Sequence, residues 1–376
     1  MVKKINHKEL NRAIKLYYES KIALMVWGTF GIGKSYVLKD SAIEIAESKK
    51  KEFIEWNKVT EKKKQEIYKN PKKYFCLIDE RLSEYDSSDI KGLPNFKSDG
   101  DTLEWRMPMW AKFITQKGSD GIILFDEINL ATPLVISSVY KIIYDRIIGE
   151  DKIADGWGIF GAGNLDSDNA HTHTLASPVK DRGGEVELTI SDIDSWSEWA
   201  IKNGIMTDII SFLNFKPTAL YDVEIHGEMK YTTTRGWERV NKLISNLEDK
   251  SLFDLAVLSA IGEGNGREFI AFTKLKEKMN IKDIIKNPKK IGKITAVDMK
   301  YIIVTGVAEM YDKNKIDFGK IVEISEVFDK GKSVEFVTLL WRLCARNSER
   351  FEKDFINSDG KNAELIKKYM RYFEVV

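Results

Sequence analysis

Eight residues constrain what this chain can fold into more than any others: Gly28-Thr29-Phe30-Gly31-Ile32-Gly33-Lys34-Ser35. They follow the apolar run Ile22-Ala23-Leu24-Met25-Val26-Trp27 and precede a helical pattern carried by Val37, Leu38, Ala42, Ile45 and Ala46. Strand, glycine loop and helix form the setting in which G-x-x-x-x-G-K-[ST] takes hold of phosphate. The glycines let consecutive backbone N–H groups turn inward around an anion, and the helix N-terminus adds its partial positive charge. Lys34 is placed to reach β- and γ-phosphates and the Ser35 hydroxyl to sit on Mg²⁺. Gly28 to Ser35, with Tyr36 directly behind them, are therefore the candidate nucleotide-binding residues.

A second landmark is Gly121-Ile122-Ile123-Leu124-Phe125-Asp126-Glu127. Its apolar residues predict a buried parallel strand that ends in two carboxylates at the carboxyl edge of the sheet, where ligands of α/β folds bind. This is the form of a Walker B strand, with Asp126 holding Mg²⁺ through its water shell and Glu127 orienting and deprotonating a water. The 92 positions between Lys34 and Asp126 leave room for an intervening strand and helices. A further strand is expected at Trp157-Gly158-Ile159-Phe160-Gly161-Ala162-Gly163, ending at Asn164, whose amide could bond both a γ-phosphate and the lytic water.

Composition narrows the class. The chain has 376 residues, enough for two or three domains, and is 43% apolar and 31% charged. A formal net charge of +1 gives no global pull toward nucleic acid or a membrane. Two cysteines, Cys76 and Cys344, make a disulfide framework improbable and fit a reducing compartment. No apolar run reaches the ~20 residues that span a bilayer. The N-terminus lacks the apolar stretch of a signal peptide. The expectation is a cytosolic protein.

Between the landmarks, residues 6–20 read as an amphipathic helix with Leu10, Ile14 and Tyr17 on one face. Glu47 to Lys73 holds ten lysines and five glutamates, with Phe53, Trp56, Val59 and Ile67 scattered through it. It reads as a solvated helical insertion, ahead of the alternative that it tracks a phosphate backbone. Tyr74 to Asp79 predicts another strand, residues 95–106 a surface hairpin or loop, and 130–148 a long helix with Val135, Val139, Ile142, Ile143 and Ile147 inward. Glu185 to Thr189 supplies a fifth strand. From Ser191 the pattern is helical: 194–204, 206–214, 235–247, 252–262 and 266–278, then 296–312, 316–328, 332–347 and 361–373. His171-Thr172-His173 lacks a third ligand and falls short of a metal site.

Asp126-Glu127-Ile128-Asn129-Leu130-Ala131-Thr132-Pro133 resembles the Walker B segment of MoxR-type AAA+ ATPases, within the dynein-related group. The turn at 145–149, Asp155-Gly156-Trp157, Gly161-Ala162-Gly163-Asn164, Trp196-Ser197-Glu198-Trp199-Ala200 and Thr234-Arg235-Gly236-Trp237-Glu238 also resemble that group, over residues 20 to 275. The resemblance implies an α/β P-loop NTPase core with αβα layers and a parallel sheet ordered 5-1-4-3-2, an α-helical lid and a ring oligomer, usually a hexamer. The corresponding boundaries are 1–190 for the nucleotide-binding domain, 191–279 for the lid and 280–376 for a C-terminal helical extension. It places Asn164 at sensor 1 and Arg235 at sensor 2. Arg182, just before the fifth strand, becomes the arginine finger acting on a neighbouring subunit, with Arg146 in reserve because Asp181-Arg182-Gly183-Gly184 lacks the usual aromatic.

The resemblance implies ATP hydrolysis that remodels a protein client, often with a von Willebrand factor A domain partner. One rival is a nucleic-acid-directed motor of a restriction or phage replication complex. The other is a non-enzymatic ATP-binding scaffold, against which Glu127 beside Asp126 speaks.

Overall fold

In a computed structural model of the chain, the described residues are 2–97, 100–165, 183–223, 232–346, 348–356 and 368. They divide into two compact units, Met1–Ile190 and Ser191–Val376.

The first unit is built on alternating strands and helices: β1 (Lys3–Ile5), α1 (His7–Ser20), β2 (Leu24–Trp27), α2 (Lys34–Ser48), β3 (Glu52–Glu55), α3 (Glu61–Lys69), β4 (Tyr74–Arg81) and α4 (Ser87–Lys91). A hairpin of β5 (Leu93–Phe96) and β6 (Leu103–Arg106) follows, then α5 (Met109–Ile114), β7 (Asp120–Asp126), α6 (Pro133–Asp145), the short pair β8 (Ile147–Ile148) and β9 (Asp151–Lys152), β10 (Gly156–Gly163) and β11 (Gly184–Leu188). Seven strands form one parallel sheet in the order β1-β11-β2-β10-β7-β4-β3. The inner five reproduce the expected order 5-1-4-3-2, and one strand is added at each edge. Parallel strands need crossovers that cover both faces of the sheet, which is why residues 74–78 of β4, 121–125 of β7 and 157–162 of β10 are buried on both faces without polar alternation.

Successive side chains point to opposite faces. On one face Cys76 and Ile78 of β4, Ile123 and Phe125 of β7 and Trp157 and Ile159 of β10 join residues of α5 and α6 in a single core. The other face carries α1 and α2, and Tyr18 of α1 packs on Phe75 with ring centroids 5.8 Å apart. That face is also pinned at its amino edge. The Tyr18 hydroxyl, with one proton to donate, lies 2.5 Å from Asp120 and 2.9 Å from the Gly156 carbonyl, while Lys49 and Lys51 reach the same carboxylate at 2.9 and 2.8 Å. Burial pushes the Asp120 carboxyl up, but donors from Lys51, Tyr18 and Lys49 outweigh it and hold the group below its ordinary value.

Several expectations shift. The buried spacing on α1 is Leu10, Ile14 and Tyr18, a strict i, i+4 stripe, and Tyr17 lies beside it. The helix expected over 130–148 is α6, ended by Arg146 in the left-handed conformation, and Ile147 belongs to β8. The hairpin expected near 95–106 forms, and both of its faces are largely exposed, including Phe96 and Trp105. The largest correction concerns Glu47 to Lys73, where a solvated helical insertion was expected. Residues 52–55 form the edge strand β3, and Ile54, Trp56 and Ile67 are buried. Trp56 stacks on Phe113 with centroids 4.9 Å apart, and Phe113 meets Trp157 edge-on. Charge density disguised a short strand whose apolar residues complete the core beneath β4.

The described residues from 191 onward are mainly helical and pack around one continuous core running from Trp196 to Phe351. Phe212 lies against Trp237, Phe269 and Phe272, with centroids 5.6, 5.4 and 5.6 Å away. Helices Ile193–Lys202, Thr207–Phe215, Thr234–Ser245, Phe253–Ala260 and Glu263–Lys278 match the expected series, and Ile281–Lys286, Val297–Asp312, Phe318–Lys330, Val334–Cys344 and Ser348–Ile356 continue it. Ile302, Val304 and Leu340 belong to the same core as Trp196 and Trp237, so apolar packing has no break at residue 280. The helix expected at 361–373 lies outside the described residues, Lys368 excepted. Cys76 and Cys344 are both buried free thiols.

If Trp56 is core, Trp56→Ala should cost about 3–5 kcal/mol of stability, the scale of a deleted buried aromatic. A denaturant titration checks it. A change below about 0.5 kcal/mol would return the segment to the solvated surface.

Candidate active site

The glycine loop leaves β2 at the carboxyl edge of the sheet and re-enters the chain as α2. Its shape needs glycine at specific points. Gly31 and Gly33 have φ of 75° and 94°, the left-handed region that side chains disfavour. At Gly28 a Cβ would come within 2.9 Å of the Leu188 carbonyl oxygen and 2.8 Å of Ile32 Cδ1.

Lys34 opens α2 and is 8% exposed. Its ammonium folds back over the loop, donating to the carbonyls of Gly28 at 2.6 Å and Thr29 at 2.9 Å and to Asn164 Oδ1 at 3.1 Å. One residue on, Ser35 Oγ donates to Asp126 Oδ2 at 2.7 Å, and the other oxygen of Asp126 accepts the Glu127 N–H at 2.8 Å. Glu127 sits at φ 54°, ψ 34°, a left-handed conformation uncommon outside glycine and costing on the order of 1 kcal/mol or more. The Ser83 hydroxyl donates to its carboxylate. The fold thus brings Lys34, Ser35, Asp126, Glu127 and Asn164 to one edge of three neighbouring strands.

Two supporting residues carried no role in the sequence. Asn129 is almost fully buried and holds Asn164 by its backbone, donating to the Asn164 carbonyl at 2.8 Å and accepting its N–H at 3.1 Å. A Cβ on Gly163 would overlap the Trp27 ring and come within 2.9 Å of Asn129 Oδ1, which explains the glycine there. Ser83 lies in the short turn after β4, and its place at the carboxyl edge after a buried strand was the available signal.

Two carboxylates on β4 are perturbed. Asp79 receives the Asn57 side chain on its backbone N–H and carbonyl, both at 2.9 Å, so that amide stands in for a strand neighbour. Burial, and then the charge of Asp126, push the Asp79 carboxyl up to about 6. Glu80 faces the opposite side, is 3% exposed and accepts from the Tyr85 hydroxyl. Burial pushes it up to about 7.

The donor set suits a hydrated divalent cation. The Ser35 and Asp126 oxygens lie 2.7 Å apart, close to the ~2.9 Å between adjacent ligands of an octahedral ion with bonds of about 2.0–2.1 Å. Among the described residues no group of three or more His, Cys, Asp or Glu is arranged to hold a metal on its own.

The arginines separate. Arg146 is turned inward, donating to the carbonyls of Trp157 at 2.7 Å and Ala154 at 3.3 Å, which fastens the end of α6 to β10. Arg235 is exposed on the first turn of helix Thr234–Ser245 in the second unit, whose start is capped by Thr233. Arg182, His171 and His173 lie outside the described residues. No helix among the described residues is long and apolar enough to cross a membrane.

No protein-family description matches this chain, and no curated protein does. Solved structures do. NtrX from Brucella abortus in complex with ADP aligns at 14% identity and a TM-score of 0.31, covering 55% of this chain and 44% of that one. The RuvB Holliday junction branch migration motor of Thermotoga maritima aligns at 14% identity and a TM-score of 0.31, covering 94% and 87%. At such scores the fold stands on the chain's own sheet order and loop geometry.

Glu80 generates a pH signature. A carboxyl whose folded value is raised from 4.5 to about 7 keeps its proton in the folded state where the unfolded chain has lost it. Stability therefore falls as pH rises through that window. Glu80→Gln should flatten that fall and raise the unfolding midpoint above pH ~7.5 relative to the parent. Parallel pH–stability curves for the two proteins would show that Glu80 ionises freely.

Proposed function

We propose that this chain binds ATP with Mg²⁺ and hydrolyses it to ADP and phosphate, as an AAA+ ATPase of the MoxR type working in a ring. One observation carries the proposal: the Lys34 ammonium, the Ser35–Asp126 pair, Glu127 and Asn164 converge on a glycine loop at the carboxyl edge of the sheet.

Each side chain has a distinct task. Lys34 exchanges the carbonyls of Gly28 and Thr29 for β- and γ-phosphate oxygens. Ser35 and Asp126 hold Mg²⁺, which supplies charge neutralisation to the phosphates. Glu127 orients the attacking water and takes its proton at the carboxylate, while Asn164 fixes the water and the γ-phosphate. No covalent intermediate is needed, because positioned charge does most of the work in phosphoryl transfer. Arg235 as sensor 2 and Arg182 as a finger reaching a neighbouring subunit complete the proposed set. Arg146, spent on two backbone carbonyls, is the weaker finger candidate.

A protein client, with or without a von Willebrand factor A domain partner, is the proposed target of the resulting motion. The nucleic-acid motor gains little from the lysine-rich stretch. Lys49 and Lys51 are paired with Asp120, Lys58 with Glu55, Lys63 and Lys73 with Glu52, and Lys64 with Glu61.

Two variants test the assignment. Lys34→Ala removes the main side-chain counter-ion of the phosphates and should abolish detectable ATP binding by calorimetry. Near-parental affinity would take the nucleotide away from this loop. Glu127→Gln keeps shape and a hydrogen-bonding group but loses the base. It should bind ATP tightly while phosphate release drops by at least roughly a hundredfold, the scale of general-base catalysis. Undiminished turnover would mean that another group activates the water.

A further inference from the structure

The glycine loop is held from outside by a residue far from its own motif. His7 is the first residue of α1, whose start is fixed by a capping box: the Asn6 side chain accepts the Glu9 N–H at 2.8 Å, and Glu9 accepts the Asn6 N–H at 2.9 Å. Strand β1 pairs with β11, and β11 pairs with β2, so residues 3–5 run along the sheet and deliver His7 to the carboxyl edge. There His7 Nε2 lies 2.7 Å from the carbonyl oxygen of Ile32. A carbonyl only accepts, so Nε2 carries the hydrogen and donates it. The ring also flanks the next residue, since a Cβ on Gly33 would lie 3.6 Å from Nε2.

The Ile32–Gly33 peptide is trans, as are all the described peptide bonds. In a trans peptide the C=O and N–H point in opposite directions from one plane. Holding the Ile32 carbonyl toward α1 therefore turns the Gly33 N–H away from α1. Without such a tether this peptide is easily rotated, because Gly33 and Gly31 on either side of Ile32 both occupy conformations that glycine enters and leaves cheaply. A rotated peptide would offer an oxygen where an anion needs a hydrogen.

We infer that His7 is a positioning residue of the nucleotide site: it fixes the Ile32–Gly33 peptide so that the Gly33 N–H is presented to the phosphates before they arrive. This rests on the nucleotide reading of the loop given above. His7 does not touch substrate; it acts through one peptide plane. Both the neutral Nε2–H imidazole and the imidazolium can donate this bond.

The test uses the full chain with His7→Ala, His7→Gln and His7→Asn, and measures affinities for ATP, ADP and inorganic tripolyphosphate. The Gln amide nitrogen can stand where Nε2 stands, whereas Asn is too short. His7→Ala and His7→Asn should weaken all three ligands by roughly tenfold, the scale of one N–H aimed at a charged oxygen. His7→Gln should stay within about threefold of the parent. A merely structural histidine would lower the melting temperature without this Gln–Asn split. Should His7→Ala fail to fold, the Gln and Asn pair carries the comparison. Equal affinities in all three variants overturn the inference, as does a loss for ATP with tripolyphosphate unchanged, which would put His7 on the base side. Those outcomes alongside a Lys34→Ala variant that has lost ATP leave the nucleotide site standing. A parent that binds neither ATP nor tripolyphosphate overturns both.

Discussion

The Lys34 ammonium is the interaction on which the first unit's edge depends. It links three elements: the glycine loop through the Gly28 and Thr29 carbonyls, α2 through its own backbone, and β10 through Asn164. A buried ammonium is tolerable only with such partners, since desolvating it unpaired costs several kcal/mol. The same need for partners explains why the loop carbonyls turn toward it and why Asn129 grips Asn164 by its backbone. The site is a set of polar groups that satisfy one another where the strands stop.

What surrounds that edge is arranged to keep it in place. The amino edge of the same face is pinned by Tyr18, Lys49 and Lys51 on Asp120, which orients α1 and the end of α2 against the sheet. With α1 fixed at that end by Tyr18 and at the other by its capping box, His7 is presented to the loop at a defined height. The opposite face is a buried aromatic and aliphatic layer into which Trp56, Phe113 and Trp157 interlock. At the edge where the strands stop, Glu127 adopts a left-handed conformation directly after Asp126.

Some of this was legible from the sequence for local reasons. A glycine loop between strand and helix, and an apolar run ending in Asp126-Glu127, are contiguous and need little tertiary context. The inner strand order followed from the resemblance and stands in the sheet. Segments whose burial depends on distant partners were misread. Tyr18 took the place of Tyr17 because the helix turns by i, i+4 onto a sheet whose position is not written in the helix. The lysine-rich stretch hid β3 because its charges outnumber its apolar residues, and only the edge of β4 made a strand there worthwhile.

By itself the sequence determined the glycine loop, the carboxylate-ended strand and the alternation of strands and helices, because each is set by backbone geometry over a few consecutive residues. The tertiary structure decided the pairings that complete the site. His7 meets Ile32 across 25 positions, Asn129 meets Asn164 across 35 and Ser83 meets Glu127 across 44. No periodicity encodes those separations. They exist because parallel strands from scattered parts of the chain end at one edge, and only the order and register of the sheet fix which side chains face each other there.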